Sequence, residues 1–241
     1  MGLREVDEGW DFKVLILEDE WVVRWPRHRL AVEEIEKEVT LLPALAPLLP
    51  VEVPRFEYVS HDPWLVVYRL IRGRPLVAED SEGVRAFVEA LHAIDIGAIP
   101  APRPDWLETY RELAEEFGRT VLPLLDADER SRSETLLAEV ETLTGFEPVL
   151  THSDLGPSHL LVRDGRLAGV IDWGDARVGD PAIDYSWLLD GPFPYWDVDE
   201  NVRRRAAVYH RLVPWFEVNY GVVTEQPEWV RTGLANLRSG L

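Results

Sequence analysis

The sequence contains no cysteine, and this absence excludes several classes of site at once. Disulfide bonds, thiolate zinc sites and cysteine nucleophiles all require that residue. No apolar run approaches the roughly 18 residues of a membrane-spanning helix, and Met1–Glu8 lacks the apolar stretch of a signal peptide. We therefore expect a cytoplasmic protein with no membrane partner.

Basic residues are also scarce. The 25 Lys and Arg residues include only two Lys and face 44 Asp and Glu, which gives a formal net charge of −19. This balance argues against a nucleic-acid partner, because neutralising phosphates requires basic surface. It suits a cationic small ligand, although acidity can equally serve solubility alone. With 241 residues, 46% of them hydrophobic, the chain can form one domain or two small lobes, as a monomer or weak dimer.

The N-terminal part has the pattern of a small mixed sheet with one helix. Alternating and β-branched residues predict strands at Lys13–Leu17, Trp21–Trp25, Val53–Val59 and Trp64–Ile71. Between the second and third strands, Arg29–Leu42 has helical periodicity. The predicted order is strand, strand, helix, strand, strand.

The predicted helix carries a carboxylate that needs a partner. Its apolar residues share one face at helical spacing: Ala31, Ile35, Val39 and Leu42. Pro43 and Pro47 predict its end or a break. Glu38 lies at the edge of the apolar face, where a buried carboxylate requires a cation, and Arg24 on the second strand is the candidate. The alternative is an ordinary half-exposed ion pair.

After residue 73 the pattern becomes mainly helical. Helices are predicted at Ser81–Ile94, Asp105–Phe117 and Glu129–Thr144, and most of Asp180–Leu241 is helical as well. The sequence therefore predicts an α+β fold with two lobes. A small β-rich lobe spans residues 1–70, and a larger helical lobe spans residues 71–241.

The strongest chemical signal lies among three short predicted strands: Val149–Thr151, Leu160–Arg163 and Leu167–Ile171. Asp164-Gly165 predicts a hairpin between the last two. That hairpin returns Asp172 to the neighbourhood of Asp154 and His159, a spacing that matches the catalytic and metal-binding loops of kinase-like phosphotransferases. Asp154 can orient a hydroxyl and accept its proton, or it can be an ordinary turn or capping residue.

The other residues of these loops have metal-binding or structural interpretations. Asp172 offers the hard carboxylate that magnesium prefers, whereas His159 offers a softer nitrogen and can instead be a packed histidine. Asp175 can join the metal or cap a turn. His152 is interpreted as a structural support of the loop.

Two further segments have weaker signals. Asp180 and Asp184 are expected to brace the catalytic loop, with helix capping as the simpler role of Asp180. The segment Glu8–Phe12, which has a single glycine, can form the turn that covers nucleotide phosphates.

Together these motifs resemble the aminoglycoside phosphotransferase family, which has a protein-kinase-like fold. The resemblance runs from Gly9 to Trp187 and rests on Val22–Arg27, Glu38, His152–Asp154, Pro157–His159, Ile171–Asp175 and Gly179–Pro181. His159 stands where most members have Asn, as in the branch with macrolide kinases and aminoglycoside kinases that modify the 2″-hydroxyl. Arg24 stands where many relatives have Lys.

The resemblance implies a bilobal small-molecule kinase that uses Mg²⁺ and either ATP or GTP. Asp154 would be the catalytic base, and His159 and Asp172 would bind the metal. Arg24, positioned by Glu38, would contact the nucleotide phosphates. The nucleotide base would meet the backbone of the linker: Tyr68, Arg69 and Leu70.

The acceptor is expected to be an aminoglycoside-like molecule, because the segment 190–200 combines carboxylates with aromatic rings that suit an amine. Its candidate contacts are Asp190, Trp196, Asp197 and Asp199. The alternative is a solvated acidic loop whose aromatic residues pack into the core. A macrolide or another metabolite as acceptor, or a pseudokinase-like nucleotide-binding protein without transfer activity, are the competing hypotheses.

Overall fold

The structure is a computed structural model that describes residues 2–6, 11–77, 82–189, 191, 193 and 196–240. The chain forms two compact units. The first contains residues 1–102 and 149–178, and the second contains residues 103–148 and 179–241. The division into lobes after residue 70 stays a prediction, and that position lies inside the first unit.

The first unit is built on a five-stranded antiparallel sheet with the order β1-β2-β3-β5-β4. Its strands are β1 Leu3–Val6, β2 Phe12–Leu17, β3 Trp21–Pro26, β4 Phe56–His61 and β5 Trp64–Arg69. The four predicted strands are confirmed, with β4 starting three residues later than expected. The edge strand β1 is additional, because its mostly exposed side chains show no alternation that a sequence pattern could reveal.

Helix α1, Arg29–Leu45, packs on this sheet. Ala31, Ile35 and Leu42 are buried, which confirms the predicted apolar face. Helix α1 continues three residues past the predicted Leu42 and ends at Leu45, so its end lies between the two prolines, with Pro43 inside the helix and Pro47 beyond it. Proline removes one hydrogen bond in this last turn, but the side chains around it are fully buried and hold the helix in place: Leu41, Leu42 and Leu45.

The first unit also contains short elements: β6 Arg74–Pro75, α2 Val84–His92, β7 Val149–Thr151, β8 Leu160–Arg163, β9 Arg166–Val170 and β10 Arg177–Gly179, whose last residue belongs to the second unit. Strands β8 and β9 form the predicted hairpin, and its turn residues Asp164 and Gly165 both have positive φ. Helix α2 begins at Val84, and the predicted start at Ser81 lies outside the described residues.

Gly169 on β9 allows three segments to meet. A Cβ there would lie 2.3 Å from Ile71 Cγ2 and 3.2 Å from the Glu52 carbonyl oxygen. The backbone of Glu52 bonds both neighbours of Gly169, since its N–H donates to Ala168 O and its carbonyl accepts from Val170 N, each at 2.9 Å. This contact fixes β9, the strand that leads into the Asp172 loop.

The second unit is helical, with α3 Trp106–Thr120, α4 Ala127–Val140, α5 Ala182–Leu189, α6 Glu200–Val223 and α7 Pro227–Gly240. Its core includes the fully buried rings of Phe117 and Trp215. Helix α4 starts before the predicted Glu129 because Asp126 and Glu129 form a capping box. The predicted α+β class is confirmed, and within the described ranges no helix has the length and apolar character needed to span a membrane.

Candidate active site

His152 holds the turn that presents Asp154. Its ring is fully buried. Nδ1 accepts a hydrogen bond from the Asp154 N–H at 3.3 Å, so Nε2 carries the proton and donates to the Ile171 carbonyl at 3.0 Å. One imidazole therefore ties the Asp154 turn to the segment before Asp172, which is the structural role predicted for His152.

His159 lies between the two aspartates. Its Nδ1 donates to the backbone carbonyl of Asp154 at 2.8 Å and lies 3.4 Å from Asp154 Oδ2. Its Nε2 faces Asp172 Oδ2 at 3.7 Å. Burial opposes the charged ring, but the carboxylates of Asp172 and Asp154 raise the pKa of His159. Because Nδ1 is already used, Nε2 is the nitrogen available to a metal beside Asp172.

Asp172 reaches this position through the hairpin. The pairing of Leu160 with Val170 brings the two ends of β8 and β9 together, and the Ile171 N–H donates to the His159 carbonyl at 3.0 Å. Asp172 itself has a left-handed φ of 65°, a conformation that Asp tolerates better than most residues. Its carboxylate is 41% exposed, so it is open to a ligand.

Arg24 and Glu38 form the buried ion pair that the sequence predicted. Arg24 Nη2 donates to Glu38 Oε2, and the other oxygen, Oε1, accepts from the Trp173 N–H at 2.8 Å. Burial raises the pKa of the Glu38 carboxyl, and Arg24 opposes this shift. Since Arg24 Nη1 also lies 3.7 Å from Asp172 Oδ1, strand β3, helix α1 and the Asp172 loop meet at this pair.

Helix α1 contacts the same loop through two residues that sequence reasoning missed. Lys37 Nζ donates to the Gly174 carbonyl, and a Cβ on Gly174 would lie 3.0 Å from Glu34 Cβ. Glu34, Lys37 and Glu38 follow the i, i+3, i+4 spacing of one helix face, and this spacing was the available signal.

Carboxyl groups crowd together beside Asp172. Burial raises the pKa of Glu34 to about 9, with further contributions from Asp11, Asp175 and Asp172. Burial also raises the pKa of Asp154 to about 6, where His159 opposes the shift and the carboxylates of Asp175, Asp172 and Asp11 add to it. Such a concentration of carboxylates favours a bound cation.

The donor set suits magnesium in particular. Within the described residues, no three His, Asp or Glu side chains form a complete metal cage. Magnesium is typically held by one or two carboxylates together with substrate phosphates, so Asp172 with a nucleotide fits this ion. Residues 8–10 of the predicted phosphate-covering turn, Glu8–Phe12, lie outside the described residues.

The predicted base-binding segment ends strand β5. Tyr68 is buried and pairs with Val22 and Phe56, while Arg69 is exposed and packs over the Trp21 ring at 3.7 Å. The Leu70 N–H already donates to the Glu20 carbonyl at 2.8 Å. Contact of this segment with a nucleotide base stays a prediction.

In the second unit, Asp180 joins two helices. Its Oδ1 accepts from the Ala182 N–H at 2.9 Å, which confirms the predicted capping role. The same carboxylate binds Arg205 through both oxygens, at 2.7 and 3.1 Å, and accepts from the Tyr209 hydroxyl at 3.1 Å. Asp184 is fully buried on α5.

The candidate acceptor residues have local contacts. Trp196 stacks on Phe193 with ring centroids 4.6 Å apart, and Asp199 caps α6 by accepting from the Asn201 N–H at 2.8 Å. Asp197 is exposed, and Asp190 lies outside the described residues. The packing of Trp196 agrees with the simpler interpretation of the aromatic residues, and an acceptor role for this segment stays a prediction.

Comparison with known proteins agrees with this geometry. The viomycin phosphotransferase of Streptomyces vinaceus is 29% identical over 211 residues, covering 76% of this chain and 71% of that protein. Among solved structures, the GDP and kanamycin complex of APH(2″)-IIIa has a TM-score of 0.88 at 25% identity, covering 100% of this chain and 93% of that one. The macrolide 2′-phosphotransferase MphH of Brachybacterium faecium has a TM-score of 0.76 at 25% identity, with 98% and 91% covered.

A sequence profile of the phosphotransferase enzyme family, APH, matches residues 2–217. This match covers most of the chain, including both aspartate motifs and the Arg24–Glu38 pair. The predicted family, the kinase-like fold and the enzyme class are thereby confirmed. The chain belongs to the phosphotransferase enzyme family that includes the aminoglycoside and macrolide phosphotransferases.

Proposed function

We propose that the protein transfers the γ-phosphoryl group of ATP or GTP to a hydroxyl of a small, cationic, aminoglycoside-like acceptor. The observation that carries the proposal is the cluster in the first unit: Arg24, Glu38, Asp154, His159 and Asp172 are linked by contacts of 3.7 Å or less. Phosphoryl transfer depends mainly on positioning and charge neutralisation, and this cluster offers both.

Asp154 is the proposed base. As the acceptor oxygen bonds to the γ-phosphorus, the bond to the leaving nucleoside diphosphate breaks and the acceptor proton passes to the Asp154 carboxylate. A pKa raised to about 6 leaves Asp154 ionised at neutral pH and makes it a stronger base than an ordinary aspartate.

Asp172 and His159 are the proposed magnesium ligands, Asp172 through a carboxylate oxygen and His159 through Nε2. When bound, magnesium neutralises charge on the phosphates. Arg24 is proposed to contact the phosphates as well. Its Nε has no hydrogen-bond partner among the described residues, while Glu38 and the Phe12 ring, 4.0 Å from Cζ, hold the guanidinium.

The acceptor class follows from charge and from the relatives. The chain carries a formal net charge of −19, which attracts cations. The APH(2″)-IIIa structure, whose alignment covers the whole of this chain, was solved with GDP and kanamycin, and the viomycin phosphotransferase is named for another antibiotic. A macrolide is the second candidate, favoured by the similarity to MphH.

A transfer assay tests the proposal. The protein would be incubated with radiolabelled ATP or GTP and magnesium against kanamycin, gentamicin, streptomycin, viomycin and a macrolide. We expect transfer to at least one acceptor, and Asp154→Ala should reduce the rate by about 100- to 10,000-fold, the contribution of a general base. The same variant should bind nucleotide as the parent does.

The alternatives give distinct results. Nucleotide binding with no transfer to any acceptor would favour a pseudokinase-like protein over an enzyme. Near-normal turnover by Asp154→Ala would remove Asp154 from the role of base.

A further inference from the structure

Ser153 has an unusual backbone for its residue type. It precedes Asp154 and has a left-handed φ of 71°. Outside glycine, this conformation is favoured mainly for Asn, Asp and His, so a serine here must be held by its surroundings. Any relaxation of Ser153 would reorient the next residue, Asp154.

A pair of hydroxyl groups restrains this conformation. Thr151 Oγ1 lies 2.8 Å from Ser153 Oγ and donates its proton to the Arg177 carbonyl at 2.9 Å. A hydroxyl can donate one proton and also accept bonds, so Thr151 can donate to Arg177 and accept from Ser153. Thr151 is fully buried on β7, and Arg177 lies on the paired strand β10, so the chain of bonds ends in a sheet.

We propose that the Thr151–Ser153 hydroxyl pair is a positioning device for Asp154. This inference rests on the proposed role of Asp154 as base. The imidazoles of His152 and His159 bond the backbone N–H and carbonyl of Asp154. The hydroxyl pair fixes the residue before it, and together these contacts determine where the Asp154 carboxylate points. Ser153 and Thr151 are positioning residues that act through Asp154.

The proposal predicts a specific dependence between two substitutions. Ser153→Ala keeps the unfavourable φ and removes the hydroxyl, and with it the bond to Thr151. Ser153→Gly removes the bond but adopts a positive φ without steric cost. Thr151 should therefore matter when residue 153 is serine and matter much less when it is glycine.

The experiment measures kcat and the nucleotide KM for Ser153→Ala, Ser153→Gly, Thr151→Val and the double variant Thr151→Val/Ser153→Gly. We expect Ser153→Ala and Thr151→Val to lower kcat by about tenfold, because small misplacements of a catalytic group are costly. The nucleotide KM should change less than about twofold, because these substitutions displace only the proposed catalytic base, Asp154. Ser153→Gly should lower kcat less than Ser153→Ala does. Thr151→Ser keeps the hydroxyl, so it should retain most of the parent's kcat.

Thr135→Val is the matched control. Thr135 lies exposed on α4 and its hydroxyl bonds the Ser131 carbonyl at 3.1 Å, so the substitution removes a similar bond away from the site. Its kcat should equal that of the parent. An unchanged kcat in both Ser153→Ala and Thr151→Val would overturn the proposal, as would an equal loss from Thr151→Val in the serine and glycine backgrounds.

Amide hydrogen exchange of residues 152–155 separates this proposal from the proposed function. Thr151→Val should accelerate exchange in the serine background and have a smaller effect in the glycine background. If the parent transfers phosphate to no acceptor while exchange follows this pattern, the function fails and the positioning device stands. If transfer occurs but exchange does not respond to either hydroxyl, the positioning device fails alone.

Discussion

Asp154 is expected to set the acidic limb of the pH profile. Burial and the carboxylates of Asp175, Asp172 and Asp11 raise its pKa to about 6, although His159 opposes the shift. A base must be ionised, so kcat/KM should rise with pH through about 6 and level above it, since this parameter reports groups of the free enzyme. A profile measured between about pH 4.5 and pH 8 checks this expectation, and a flat profile through pH 6 would contradict it.

The neighbours of Asp154 give this prediction a control. Asp175→Asn removes one of the charges that raise the pKa of Asp154, so the acidic limb should move to lower pH. Asp164→Asn removes the same charge in the β8–β9 turn, where Asn tolerates the positive φ of 53°. That control should leave the limb in place.

Asp172 should matter more than His159 for binding magnesium nucleotide. A carboxylate oxygen is a hard ligand, whereas a neutral imidazole suits magnesium less well. In calorimetry, Asp172→Asn should weaken binding of magnesium nucleotide by at least about tenfold, a loss that even outer partners of a metal can cause. His159→Asn should weaken it less.

When a chelator removes the metal, Asp172→Asn should no longer bind nucleotide more weakly than the parent. Without magnesium, the Asp172 carboxylate only repels the phosphates, so Asp172→Asn should bind free nucleotide at least as tightly as the parent. If Asp172→Asn binds magnesium nucleotide as tightly as the parent, Asp172 is not a metal ligand.

The sequence predicted which candidate site residues lie together, but it did not predict several of the contacts that hold them. Asp172 lies far along the chain from Asp154 and His159, and a hairpin between them brings the three residues together. Asp164-Gly165 predicts the turn of that hairpin. The left-handed φ of Ser153 leaves no comparable pattern, and the helical spacing of Glu34 and Lys37 with Glu38 shows a shared face but not what that face contacts. This φ and these contacts depend on which surfaces meet after folding, information that local spacing does not contain.

At the scale of elements, strand β9 depends on close packing at Gly169 that the sequence pattern did not predict. Gly169→Ala would place a Cβ 2.3 Å from Ile71 Cγ2 and 3.2 Å from Glu52 O. Overpacking of this kind typically costs about 1–3 kcal/mol, and we expect the free energy of unfolding to fall by that amount in denaturant titrations. Transfer activity should fall as well, because β9 leads directly to Asp172.

Gly118→Ala is the opposite case within a helix. Gly118 lies on α3, and a Cβ there would meet nothing within 4 Å. Alanine in a helix is more stable than glycine by about 0.5–1 kcal/mol, so this variant should gain stability. A stable, fully active Gly169→Ala protein would show that Ile71 and Glu52 do not pack this closely against β9.

Element boundaries were predicted less well than element types, for physical reasons. Helix α1 passes Pro43 because three leucines there are buried, and α4 starts at a capping box before its first apolar residue. The edge strand β1 pairs with β2 through its backbone while most of its side chains are exposed. In each case tertiary contacts or caps outweigh the local propensity.

At the scale of the whole molecule, the net charge predicts how acceptor binding depends on salt. A formal charge of −19 should attract a polycationic acceptor over long range at low salt. The Debye length falls from about 30 Å at 0.01 M to about 8 Å at 0.15 M ionic strength. Kanamycin binding, measured by calorimetry, should therefore weaken across this range, and a weakly charged macrolide should respond less.

The same calorimetric measurements test the segment before α6 as an acceptor site. Asp197→Asn and Asp199→Asn should each weaken kanamycin binding and reduce its salt dependence, and Asn at position 199 still caps α6. Glu134→Gln, an equal change of charge on the exposed face of α4, is the control for the general field of the protein. If all three variants weaken binding equally, the segment contributes only to net charge. If binding ignores both salt and the aspartate substitutions, the acceptor is held elsewhere and by other forces.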